Sequence, residues 1–69
     1  MKYAVIVENA GPNWSAYSPD VPGCITTGPT YEETVANMRE ALHLHLQALV
    51  EVGQPLPIPH TRAIEIEAA

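Results

Sequence analysis

The sequence predicts one α+β domain of order β-β-β-α-β: an antiparallel three-stranded sheet, a long helix packed on one face, and a last strand parallel to the first. Three observations carry this. Residues 2–8 and 62–67 alternate side chains with the strand period of two. Turn-rich clusters at 9–13 and 19–23 cut the first third of the chain into short segments. Residues 30–52 hold apolar side chains three and four apart, the helical period.

The first strand sets Tyr3, Val5 and Val7 against Ala4, Ile6 and Glu8. Asn9-Ala10-Gly11-Pro12-Asn13 reads as a hairpin loop, and Trp14 to Ser18 as the strand that returns from it. In Pro19-Asp20-Val21-Pro22-Gly23 two prolines remove two backbone donors within four residues, so the segment must be irregular. Cys24 to Thr27 is a third short strand, closed by Gly28-Pro29.

Thr30 opens the helix. Its hydroxyl suits the first turn, and Glu33 three residues on completes a capping box. The helix is expected to run to about Val52 and to end at Gly53, because Pro55, Pro57 and Pro59 forbid its continuation. Gln54 to His60 is a stiff connector, and Arg62 to Glu67, alternating around Ile64 and Ile66, is the last strand.

Sixty-nine residues form one domain spanning 1–69. A chain this short buries only about 60% of the surface its unfolded form exposes, and proteins of this size usually add a disulfide, a metal or a second copy. Cys24 is the only cysteine, which excludes an internal disulfide. The apolar start is too short for a secretory signal or a membrane span, and one free thiol suits the reducing cytoplasm. Net charge is −5, and Lys2, Arg39 and Arg62 are scattered, so no basic stripe exists for direct nucleic-acid binding. An acidic surface favours encounter with a basic protein.

The run Tyr17-Ser18-Pro19-Asp20-Val21-Pro22-Gly23-Cys24, followed by Gly28-Pro29-Thr30-Tyr31-Glu32-Glu33, resembles the HicB antitoxin family. There a P-D-x-P-G-C loop leads through a short strand to G-x-T-x-E-E at the helix start. Glu40-Ala41-Leu42 and Gly53 to Pro59 are similar to the family's helix end and its G-x-x-x-P-x-P exit, so the resemblance covers roughly residues 3 to 67. Pro29 stands where the family often has an acidic residue, and Thr34 where it often has alanine. The resemblance implies a truncated RNase H-like fold without nuclease chemistry, and a partner: HicA, a small basic RNA-cleaving toxin whose active surface the antitoxin covers. Many members also carry a C-terminal DNA-binding segment. In a chain ending at Ala69 none is expected.

Candidate sites follow from these readings. Asp20, Val21, Pro22 and Gly23 form a stiff loop that can serve partner recognition or simply shape a turn. Two-metal nuclease chemistry requires converging carboxylates, and Glu8, Asp20, Glu32 and Glu33 show no sign of convergence. His43 and His45 lie about 200° apart around the helix and cannot share one ion. His60 reads as a boundary residue, and Cys24 has no basic neighbour to make it a nucleophile. No enzyme activity, cofactor or metal is therefore expected.

Tyr31, Val35, Met38, Leu42, Leu46 and Leu49 make the sheet-facing side of the helix. Ala41, Leu44, Ala48 and Val52 form a second stripe, suited to self-association as a homodimer or higher oligomer. The expected function is an antitoxin-like module that neutralises a HicA-type toxin. The alternative is a stand-alone homo-oligomer of the same fold with a regulatory or scaffolding role.

Overall fold

The computed structural model describes all residues from Met1 to Ala69. Three strands form first: β1 (Ile6–Asn9), β2 (Trp14–Tyr17) and β3 (Ile25–Gly28), each antiparallel to the next in the order β1-β2-β3. The β1–β2 hairpin closes where Ala10 N donates to Asn13 O at 2.8 Å and Gly11 N donates to Asn9 Oδ1 at 3.0 Å. Gly11 takes φ +93°, which a side chain would resist. β1 is shorter than the expected 2–8 because β2 ends at Tyr17, opposite Ile6, leaving residues 2–5 no strand to pair with. Tyr3 and Val5 nonetheless pack against the core.

Strand alternation gives the sheet two unlike faces. Ala16 is completely buried against the helix, with Val7 and Thr26 beside it in register. On the opposite, uncovered face, Ile6, Tyr17 and Ile25 form one cross-strand row. Ile25 is 66% exposed there.

α1 spans Tyr31–Glu51. Thr30 caps it in extended conformation, its Oγ1 accepting from Glu33 N at 3.1 Å, while Glu32 and Glu33 sit at the positive end of the helix dipole. At the other end Gly53 N donates to Val50 O and Gln54 N to Leu49 O, with Gly53 at φ +76°. That pair of bonds is a Schellman motif, and it satisfies carbonyls the helix would otherwise leave bare. Met38 is the largest fully buried side chain, Leu42 and Leu46 pack against the core it belongs to, and Val35 and Leu49 are half-buried on the same side of the helix. Tyr31 stands edge-on to Trp14, ring centroids 5.6 Å apart. Thr34 is also buried, because α1 crosses β3 at Gly28: a Cβ there would lie 2.5 Å from Thr34 Oγ1. The 21-residue helix is about 31 Å long. Four-residue strands span only about 13 Å, so the C-terminal half of α1 extends past the sheet.

The expected last strand does not form. The element order is β-β-β-α, and residues 54–69 contain no strand parallel to the first or to any other. Ile64 and Ile66 are 75% and 76% exposed. Alternation shows that a segment would suit a pleated, half-buried surface, but the partner edge must come from elsewhere. In this chain Arg62 to Glu67 meets none.

Candidate functional site

The loop between β2 and β3 is built around its own backbone. Ser18 N donates to Cys24 O at 3.4 Å, Val21 N to Ser18 O at 3.2 Å and Cys24 N to Val21 O at 3.2 Å, so two tight turns are nested in one closed loop. Gly23 takes φ +81° to complete it. Ser18 is buried and its Oγ donates to Ala4 O at 2.8 Å, tying the loop to the chain ahead of β1. Val21 and Cys24 turn inward and join Ala16 and Met38 in the core. Burial pushes the Cys24 thiol above its ordinary pKa.

Asp20 is also turned inward, and it has partners. Its carboxylate accepts from His60 N and Thr61 N, each at 2.9 Å, and from the Thr61 hydroxyl at 2.6 Å. His60 Nδ1 lies 3.1 Å from Asp20 Oδ1 and 3.0 Å from Ile58 O, while the rest of the imidazole faces solvent. The Thr61 hydroxyl does most to lower the Asp20 pKa below its usual range; burial opposes it, and the two backbone donors and the nearby His60 add to it. Tyr3 Oη donates to Pro57 O at 2.6 Å, fixing the same connector a few residues earlier. The β2–β3 loop, the start of the chain and the proline-rich connector are thus held as one unit.

No group of three or more His, Cys, Asp and Glu side chains converges, and no helix is long and apolar enough to cross a membrane. The seven glutamates all lie on the surface, while the one aspartate does not.

The sequence profile described as the HicB_like antitoxin of bacterial toxin-antitoxin system matches residues 3–68, nearly the whole chain. The chain belongs to the HicB-like antitoxin family. Among its relatives, the antitoxin HicB 2 of Photorhabdus laumondii is 31% identical over 72 residues, covering 100% of this chain and 52% of that protein. A protein of the rep-hol intergenic region of Haemophilus phage HP1 is 33% identical over 57 residues, 83% of this chain and 43% of its own length. A UPF0150 protein of Thermoplasma acidophilum is 29% identical and matches end to end, 99% of this chain against 100% of its own. The HicB-like chain therefore spans about half of the first of these relatives, less than half of the second and all of the third. No solved structure matches it.

Within this HicB-like fold the four loop residues divide in two. Asp20 and Val21 point inward and hold the loop's shape, while Pro22 and Gly23 form its exposed tip. Of the second helix stripe, Ala41 packs against the core, whereas Ala48 is exposed, Leu44 is 56% exposed and Val52 is 70% exposed. Thr30 caps the helix by accepting from the Glu33 N–H, but the Glu33 carboxylate makes no return bond to Thr30 N, so only half of the expected capping box forms. The Asp20 clamp was not legible in the sequence, where His60 reads as a boundary residue. Its partners are 40 and 41 residues away, and the only hint was two good acceptors and donors beside rigid prolines.

Proposed function

We propose that this HicB-like chain is the protein-binding module of an antitoxin that neutralises a small, basic, HicA-type RNA-cleaving toxin by covering its active surface. Family membership over residues 3–68 is the observation that carries this reading. Two features support it physically. Seven exposed glutamates face solvent with only three basic residues in the chain, a surface that attracts a cationic partner. The loop Asp20–Gly23 is held rigid from within, so its tip at Pro22 and Gly23 loses little entropy on contact. Next to it, the row Ile6, Tyr17 and Ile25 offers an uncovered apolar strip.

The chain works without catalysis in this reading: its one aspartate is occupied by Thr61 and His60, and an antitoxin acts by occlusion. The truncated RNase H-like ancestry that the family resemblance implies is part of this reading. A single free thiol suits a cytoplasmic setting. The test is association with the product of the adjacent reading frame, which this reading expects to be a small basic protein. Binding should be fast at low salt and slow markedly as salt rises. A rate unchanged by salt contradicts the charge argument, and absence of binding contradicts the function.

A stand-alone homo-oligomer with a regulatory or scaffolding role is the second reading, supported by the exposed Leu44, Ala48 and Val52 beside Ala41. Leu44→Glu should dissociate such an oligomer in sedimentation, and an unchanged sedimentation coefficient contradicts that interface.

A further inference from the structure

α1 does not cover the sheet evenly. It crosses closest at Gly28 of β3, where Thr34 lies against the strand, and packs least on β1. Helix and first strand therefore diverge, and an apolar groove opens between them, with Tyr3, Val5 and Val7 on one wall and Val35, Met38 and Leu42 on the other. Its volume is about 690 Å³, inside the roughly 300–1,000 Å³ of sites that take small molecules. Seven of its nine lining residues are hydrophobic, and the other two are Lys2 and Arg39.

Those two cations decide what the groove suits. They are two of only three basic residues in a chain that carries seven glutamates. The one ion pair in the structure joins His60 to Asp20, so neither Lys2 nor Arg39 is matched by a carboxylate of its own chain. No acidic residue lines the groove. Glu40 enters only in the adjoining hollow, which shares Arg39.

The groove also has two unlike ends. The adjoining hollow sets Met1 and Tyr3 beside Leu42 and Leu46, so the start of the chain runs alongside the later turns of α1. Lys2 and Arg39 thus gather toward the Leu42 end, leaving Val7, Tyr31 and Val35 at the other, apolar end. From Val35 to Leu42 the helix wall is about 10.5 Å long, room for a medium-length acyl chain.

We propose that this groove binds a free amphipathic carboxylate, a medium-chain fatty acid, with its head group between Lys2 and Arg39 and its chain running past Val5 and Val35 toward Val7. The Arg39 guanidinium can take a carboxylate through two parallel hydrogen bonds, and Lys2 adds a point charge. The acyl chain leaves water against walls that α1 does not cover. A ligand that binds the folded chain alone also raises its stability.

The test is a methyl NMR titration of the full chain with decanoate, kept below its micelle-forming concentration. Saturable shifts should appear at the Val5, Val7, Val35 and Leu42 methyls, and the melting temperature should rise with added decanoate. Decanol, which has the chain without the charge, should bind about tenfold more weakly, and so should decanoate to the Lys2→Gln, Arg39→Gln double variant. Both side chains are exposed, so the ligand-free variant should melt with the wild type. The absence of a saturable shift overturns the proposal, as do shifts confined to Leu44 and Val52 on the exposed helix stripe. Decanol binding as tightly as decanoate, or a double variant binding as tightly as the wild type, removes the cations from the site and overturns it too. If the groove methyls shift with protein concentration alone and decanoate leaves them unmoved, a second copy fills the groove and the proposal fails. It fails equally if a peptide alternating valine and glutamate saturates the groove where decanoate does not.

Discussion

The Thr61 hydroxyl donates a 2.6 Å hydrogen bond to Asp20 Oδ1, joining the β2–β3 loop to the connector across 41 residues of sequence. Two backbone N–H groups converge on the other carboxylate oxygen, Oδ2. A buried carboxylate with three donors is satisfied as an anion, and removing it leaves those donors without a protein partner.

Asp20→Ala should therefore lower the melting temperature and free residues 58–61, detected as faster amide exchange at His60 and Thr61. Asp20→Asn should fall between the variant and the wild type, since its carbonyl still accepts. Exchange at both amides unchanged in Asp20→Ala would show that the clamp does not hold the connector.

The same carboxylate fixes the sign of an acid effect. Its folded pKa is below the ordinary 3.8, so its stabilisation is complete above 3.8 and is lost as pH falls from there through the lower folded value. In acid titrations below pH 3.8, Thr61→Val should lose less stability than the wild type, because it has less of that stabilisation to lose. Parallel curves would contradict the assignment.

Cys24 gives the opposite edge of the pH range. Burial raises its folded pKa above the ordinary 9.0, so stability is intact below 9.0 and falls as pH rises through the folded value. Cys24→Ala should flatten the alkaline loss, measured by denaturant midpoints across that range. A loss of equal slope in both proteins would assign it to other groups.

At the helix start, Thr30→Ala removes the acceptor of the Glu33 N–H and should cost about 0.5–2 kcal/mol. At the neighbouring crossing, Gly28→Ala forces a Cβ to within 3.0 Å of Thr34 N as well as against Thr34 Oγ1, and should cost about 1–3 kcal/mol. Adding Thr34→Ala should recover part of that loss, because the closest atom is gone while the helix backbone remains. A double variant no better than the single places the strain elsewhere.

Local chemistry was what the sequence displayed. The hairpin at Asn9 to Asn13, the Thr30 cap and the Gly53 stop depend on residues within five positions of each other, and all three appear. The helix face around Met38 was legible for the same reason, since its period is local. The segment around Ile64 and Ile66 misled because alternation reports a preference and not the edge that would receive it. Asp20 misled in a different way: a charged residue between prolines reads as a presented charge, and only the fold brings Thr61 to it. Thr34 looked like an ordinary helix position until Gly28 drew the helix down onto β3.

The central claim is occlusion of a toxin, and the most direct measurement is RNA cleavage by the purified product of the adjacent reading frame, which the proposal expects to be a small basic toxin, titrated with the chain itself. Cleavage should fall in proportion to added protein and stop near equivalence, in the manner of a tight binder that covers the active surface. Cleavage that persists undiminished in molar excess of this protein would contradict the account.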